Sequence, residues 1–259
     1  MLTLLAVIAL SYKVPASPLE YTMKVDFAGY IPVLGGQENA DCNVAMGFTV
    51  NSIAADGDGN PQAVFDLTAV DIKFGGAPLP FDLDSVRPYF PKNTISHTPM
   101  GKILKTDAPD IQLPVRLPGL DVKRIPDITY MPIEFPAEGV EVGKSFEFKK
   151  KFGDSEVSYK VTPQKMEGST LFLDLTMVQT YETMEDEAKN VTTKTEDAAA
   201  KVRTTVTGSG TVQFDTEKGI VKASKVVADA ASAVSGMKGE DLGKRTLKTT
   251  VEVALKPKG

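Results

Sequence analysis

Two carboxylates on similar strand segments come closest to a catalytic arrangement in this 259-residue sequence. Asp66 and Asp174 occupy equivalent places in two related segments, each flanked by leucine and phenylalanine. Two carboxylates on either side of a glycosidic bond can act as acid and as base or nucleophile. Because side chains alternate between the faces of a strand, we expect both carboxylates to face solvent. A hydrolase built on them stays open as an alternative.

The residue types that supply most other catalytic chemistry are scarce. His97 is the single histidine and Cys42 the single cysteine, so a zinc or copper site has almost no ligands to draw on. Serine–histidine catalysis would depend on His97 alone, and no G-x-S-x-G motif occurs. The segment around His97 matches a later segment in which Phe214 takes the same place. We therefore interpret His97 as a packed aromatic ring and Cys42 as a small core residue.

The sequence Asp-Gly-Asp-Gly-Asn at residues 56–60 is similar to the start of a calcium-binding loop, which needs oxygen ligands at alternate positions. Pro61 stands where that loop has its glycine, and Leu67 stands where it has a bidentate glutamate. We interpret the segment as a hairpin turn. The sequence thus gives no candidate catalytic, cofactor-binding or metal-binding residue, and no cofactor is expected.

The two halves of the sequence contain similar segments. Three blocks occur in the same order in both halves, at residues 48–50, 65–70 and 94–105 and again at residues 159–161, 173–178 and 211–222. Alternating apolar and polar residues separated by Gly, Asp, Asn and Pro predict strands throughout. The predicted fold is mainly β, with two related antiparallel units, a proline-rich crossover and one or two short helices.

The predicted organisation has four parts: a signal peptide at residues 1–16, a first β half-repeat at 17–106, the crossover at 107–136 and a second half-repeat at 137–259. Asp82 is placed to cap a short helix that runs to Tyr89. The acidic segment at residues 180–200 has the composition of an exposed helical or mobile lobe. The crossover combines repeated prolines with apolar side chains, so we expect it to pack across both units.

Charge and hydropathy narrow the function classes. The net charge is -5 and no basic run exceeds residues 149–151, which argues against nucleic-acid binding. The apolar run at residues 2–10 is too short to span a bilayer, which takes about 20 residues. We interpret it as a signal-peptide core cleaved after Ala16, with a buried first strand as the alternative. The prediction is export to the periplasm or beyond, with no transmembrane segment.

Two motifs add a resemblance. The sequence Phe-Pro-Ala-Glu-Gly-Val-Glu-Val-Gly-Lys-Ser-Phe at residues 135–146 leads into a strand, and a late hairpin occupies residues 210–219. Both are similar to motifs of a family of uncharacterised exported bacterial proteins built from tandem β half-repeats, in which Trp usually stands at the place of Phe146. The likeness covers mainly residues 20–256. It implies export and a duplicated β fold, and no known activity or site.

Together these features favour an exported protein that binds or scaffolds without catalysis. The main alternative is a carrier of a lipid-like or amphipathic small molecule in a groove between the two β units. A second possibility is an envelope protein as partner, contacted by the acidic segment at residues 180–200. The hydrolase based on carboxylates is the third.

Overall fold

The computed structural model describes residues 7–31, 37–108, 125–152 and 155–257. In these ranges thirteen strands form one open antiparallel sheet and two α-helices are short, which confirms the predicted mainly β class. The helices are α1 (Leu83–Val86) and α2 (Ile125–Thr129), and neither is long and apolar enough to cross a bilayer. The strands are β1 (Leu19–Ile31), β2 (Gln37–Ile53), β3 (Gln62–Phe74), β4 (Ala77–Pro78), β5 (Asn93–His97), β6 (Ile103–Thr106), β7 (Phe146–Phe152), β8 (Ser155–Glu167), β9 (Thr170–Glu185), β10 (Val191–Thr192), β11 (Ala200–Asp215), β12 (Ile220–Gly236) and β13 (Asp241–Leu255).

The strand order is β6-β5-β3-β2-β1-β13-β12-β11-β9-β8-β7, with β4 beside β3 and β10 beside β9. The chain begins at the centre with β1, moves outward to the edge strand β6 and starts again at the opposite edge with β7. It then returns strand by strand until β13 pairs with β1, with Val25 opposite Val251. The two halves are therefore adjoining parts of one sheet. The matched blocks lie on β2, β3, β5 and β6 and on β8, β9, β11 and β12, and their common origin stays a prediction.

Strict alternation explains why these segments form strands. In β1 the side chains of Tyr21, Met23, Val25 and Phe27 are buried, while the polar residues between them face outward. The same period of two holds along β11, where buried valines alternate with exposed lysine, arginine and threonine. One face of the sheet thus carries the core and the other faces water.

Ring contacts show that the sheet curves around its apolar face. Tyr130 contacts Phe65 of β3 and Tyr12 contacts Phe214 of β11, and the two tyrosines contact each other. The three centroid distances of 5.7, 6.2 and 5.2 Å leave the two phenylalanine rings no more than about 17 Å apart. Five steps of a flat sheet separate β3 from β11, which is about 24 Å. The core face is therefore concave.

Two segments outside the sheet fill one end of this concave face. Residues 8–13 form one of them: Ile8 makes a bridge with Val140, Leu10 is buried, and the Tyr12 hydroxyl donates to the Ile133 carbonyl at 3.0 Å. Residues 125–135 form the other, with Met131 and Ile133 fully buried. The part of the predicted crossover at residues 109–124 lies outside the described residues.

The acidic segment at residues 180–200 differs from the expectation. The strand β9 continues to Glu185 and β11 starts at Ala200, with β10 and one 3-10 turn at Thr195–Asp197 between them. The prediction of a helical lobe was wrong, because alternating threonine and tyrosine at the start of the segment extend the strand despite the acidic composition.

The predicted short helix is confirmed, although it ends earlier than Tyr89. Asp82 forms a capping box with Ser85, in which the Asp82 side chain accepts from the Ser85 backbone N–H at 2.8 Å. These hydrogen bonds from Ser85 lower the pKa of Asp82. The helix ends at Val86.

Candidate functional site

The candidate site is a pocket on the concave face, at the end of the sheet away from Tyr12 and Tyr130. The space that water-sized molecules can reach in it is about 60 Å³, and the surrounding cleft, which opens to solvent, is about 530 Å³. Six strands contribute to it, and the lining is a mixture of aromatic, small and charged side chains: Tyr30, Tyr181, Thr183, Glu185, Val191, Val202, Thr204, Ala230, Ser232, Arg245, Thr246 and Leu247.

A buried ion pair lies in this pocket. One guanidinium nitrogen of Arg245, Nη1, donates to both carboxylate oxygens of Glu185, each at 2.8 Å. The side chains are 16% and 7% exposed, so water screens the pair weakly. The Arg245 guanidinium also lies 4.3 Å from the centre of the Tyr30 ring, a cation–π distance. The arginine is thus held on two sides.

Glu185 and Arg245 lie on strands that are three positions apart in the sheet. Glu185 ends β9 and Arg245 lies near the start of β13, where it pairs with Ser232 of β12. On a flat sheet the two strands would be roughly 14 Å apart, so the contact depends on the curvature. Small side chains on the strands between them leave the space open, and the hydroxyls of Thr204 and Ser232 lie 2.8 Å apart on its floor.

This arrangement suits binding better than proton transfer. Both oxygens of Glu185 accept from Arg245, so the carboxylate is already engaged in a charge-assisted contact within the protein. In the described part of the chain, the other guanidinium nitrogens of Arg245 have no hydrogen-bond acceptor. Because a guanidinium has five N–H donors, the pocket offers donors to a ligand.

The structure does not bring Asp66 and Asp174, the carboxylates of the hydrolase alternative, together. Asp66 on β3 accepts from Arg87 at 2.9 Å and lies 3.1 Å from Lys92. Asp174 is exposed on β9, and five strands of the sheet separate it from Asp66. A glycosidase needs its two carboxylates within about 10 Å, so this pair does not form such a site.

His97 and Cys42 both lie in the core. His97 is 1% exposed, its Nδ1 is 2.9 Å from the Thr98 carbonyl, and its ring meets Tyr130 edge-on at 6.2 Å. Burial lowers the pKa of His97 and raises that of Cys42. Phe214, the matched residue, is also a fully buried ring.

The segment that is similar to a calcium loop is a tight turn. Oδ1 of Asp56 accepts from the backbone N–H groups of Asp58 at 3.0 Å and Asn60 at 2.8 Å, and these bonds, led by Asn60, lower the pKa of Asp56. Asp186 and Asn190 form the same turn in the other half. Within the described ranges, no three histidine, cysteine, aspartate or glutamate residues cluster as a metal site would require.

Sequence reasoning missed Glu185 and Arg245. Both lie in the inward phase of their strands: Glu185 continues the inward series of Leu173 and Leu175 on β9, and Arg245 lies two residues before the buried Leu247 on β13. A charged residue in the buried phase of a strand was the signal that would have found them.

Comparisons with known proteins give no family. No protein-family profile matches the chain, and no curated protein matches it. Among solved structures, a mutant of the Rh. blastica porin is 8% identical over 93% of this chain and 99% of that chain, with a TM-score of 0.21. A conserved protein of unknown function with a hot dog fold from Alicyclobacillus acidocaldarius is 12% identical over 94% and 80% of the two chains, with a TM-score of 0.11. Scores this low support no conclusion about fold or function.

Proposed function

We propose that this is a non-catalytic binding protein that holds the polar head of an amphipathic small molecule in the pocket of Arg245. The observation that carries the proposal is that Arg245 has N–H donors with no acceptor among the described residues, in a pocket with apolar and aromatic walls. Ligand sites typically combine an apolar lining with a few fixed polar groups, as here. The ligand's apolar part would lie against the concave face.

The charge of the site indicates the kind of head group. Glu185 already neutralises Arg245, so a second anion would meet the buried carboxylate as well as the guanidinium. An uncharged acceptor, such as an ester carbonyl or a hydroxyl, can accept from Arg245 without this repulsion. We therefore expect monoacylglycerols to bind more tightly than fatty acids of the same chain length.

A binding assay with matched variants tests the proposal. Arg245→Lys keeps the charge but removes the planar donor fork, whereas Arg203→Lys makes the same change on the exposed face of β11. In calorimetric titration with a monoacylglycerol, we expect Arg245→Lys to lose at least about tenfold in affinity, the value of one charge-assisted hydrogen bond. The Arg203→Lys variant should bind like the unaltered protein.

Two results would contradict this function. If the unaltered protein binds neither ligand, the pocket does not hold an amphipathic molecule. If both arginine variants bind equally well, the head group is not in the pocket. A screen with ester and glycoside substrates tests the non-catalytic part, because turnover abolished by Glu185→Gln would make the site an active site.

Export remains part of the proposal, and it rests on the apolar run at residues 2–10. Since Leu10 and Tyr12 are buried in the structure, cleavage after Ala16 would remove two core side chains. Fractionation of the host cell followed by N-terminal sequencing tests both points. Protein found only in the cytoplasm would contradict export, and a first residue of Ser17 would show that cleavage occurs.

A further inference from the structure

Lys150 and Asp127 form a buried pair that the proposed binding function does not use. Lys150 belongs to the lysine run at residues 149–151 of β7, and its side chain is 2% exposed. Its Nζ lies 2.7 Å from Oδ1 of Asp127 on α2, whose side chain is 5% exposed. The neighbouring Lys149 is exposed, because alternation along β7 turns Lys150 alone of the three to the core face.

The surroundings place the amine for attack on the carboxyl carbon. The Met131 carbonyl accepts from Lys150 Nζ at 2.6 Å, which fixes the side chain. Since a carbon–oxygen bond of this kind is about 1.2 Å, Nζ lies within about 4 Å of the Asp127 carboxyl carbon. A productive approach needs about 3–3.5 Å, so a small displacement is enough. The Phe148 ring, 6.0 Å from Nζ, adds to the apolar surroundings.

We propose that Lys150 and Asp127 join through an intramolecular amide bond. In the first step a proton moves from the ammonium to the carboxylate, which gives a neutral amine and a carboxylic acid. The amine lone pair attacks the carboxyl carbon, the new nitrogen–carbon bond forms, and the carbon–oxygen bond breaks. A proton moves from the nitrogen to the leaving hydroxyl, so that one water molecule leaves. No oxidant or cofactor is required.

The bond would fasten an edge of the sheet to the core. Lys150 lies on the edge strand β7, and Asp127 lies three residues before Tyr130, whose ring contacts Phe65 on β3. A covalent link here would hold β7 against the segment at residues 125–135. In a chain with one cysteine it would take the place of a disulfide as a covalent tie.

Peptide mapping of the full-length protein under denaturing conditions tests the bond. Trypsin cleaves after Arg124, Lys144, Lys149 and Lys151, and an amide on Lys150 blocks cleavage there. We expect residues 125–144 joined to residues 150–151, lighter by one water molecule than the two separate peptides. Separate peptides with cleavage after Lys150 would overturn the proposal, since the contact would then be an ion pair only.

Variants identify the groups that react. Lys150→Arg should give the unlinked peptide 125–144, and Lys149→Arg is the control on the same strand, which should keep the link. A linked peptide in Lys150→Arg would overturn the assignment of Lys150.

Discussion

Removal of the Tyr12 side chain tests whether residues 8–13 are part of the folded core. The ring is 3% exposed, and its centroid lies 5.5 Å from that of Phe135 and 5.2 Å from that of Phe214. Gly101 also packs against the ring, so closely that a Cβ at this position would lie 2.4 Å from it. The hydroxyl donates to the Ile133 carbonyl, and burial raises the pKa of Tyr12 well above its usual value. We expect Tyr12→Ala to destabilise the protein strongly and Tyr12→Phe to do so moderately.

The magnitudes follow from these contacts. Truncation of a buried aromatic side chain to alanine costs about 3–5 kcal/mol. Loss of the hydroxyl alone leaves the Ile133 carbonyl without its partner, which costs about 1–3 kcal/mol. A protein that starts at Ser17 also loses Leu10, for which about 2–5 kcal/mol is added. That sum approaches the whole stability of a typical domain, about 5–15 kcal/mol.

Urea unfolding followed by circular dichroism measures these differences. Val14→Ala is the matched control, because Val14 is 53% exposed, and it should stay within about 0.5 kcal/mol of the unaltered protein. The reasoning is refuted if Tyr12→Ala is as stable as Val14→Ala. If protein starting at Ser17 unfolds at the same urea concentration as the full chain, residues 8–13 are dispensable and the cleaved signal peptide gains support.

Three further changes have expected outcomes. Burial lowers the pKa of His97 below its usual 6.5, so the unfolded state binds more protons and stability falls as pH drops below that value. His97→Phe should flatten this decline in urea midpoints measured between about pH 7 and about pH 5. An unchanged slope would contradict the reasoning. Lys189 has a φ of 64°, so Lys189→Gly should stabilise by about 0.5–1 kcal/mol, and a lower melting temperature would count against this. A Cβ on Gly210 would lie 2.1 Å from the Lys225 carbonyl oxygen, so Gly210→Ala should lower the free energy of unfolding by at least about 2 kcal/mol. The control Gly57→Ala places its Cβ in open space and should be near neutral in the same thermal melts.

The strands were predictable because their information is local. The alternation in Tyr21–Phe27 and the turn residues at 56–60 predict strand and turn without knowledge of any partner. The strand order was harder to predict, because nothing in β1 or β13 says that the first strand pairs with the last. The carrier alternative assumed a groove between two β units, whereas the described residues form a single sheet whose concave face provides the pocket.

The charged pairs were missed for a related reason. Lys150 lies in a lysine run that looks like a solvated surface, yet it has the same phase as Phe146 and Phe148 and so points inward. That phase predicts its burial, but its partner Asp127 is on a separate helix and cannot be found from spacing. Glu185 and Arg245 lie 60 residues apart and meet only through the curvature of the sheet.

The pairing of β1 with β13 sets the order in which the protein can be assembled on the ribosome. The strand β1 leaves the ribosome early, but its neighbour β13 is the last of the described strands to be made. Until then β1 has an open edge of backbone N–H and carbonyl groups, the kind of edge that recruits other chains. Closing a loop of more than 200 residues is also slow relative to forming hairpins. We expect nascent chains to depend on a chaperone until β13 arrives, and truncations that lack β13 to aggregate rather than fold.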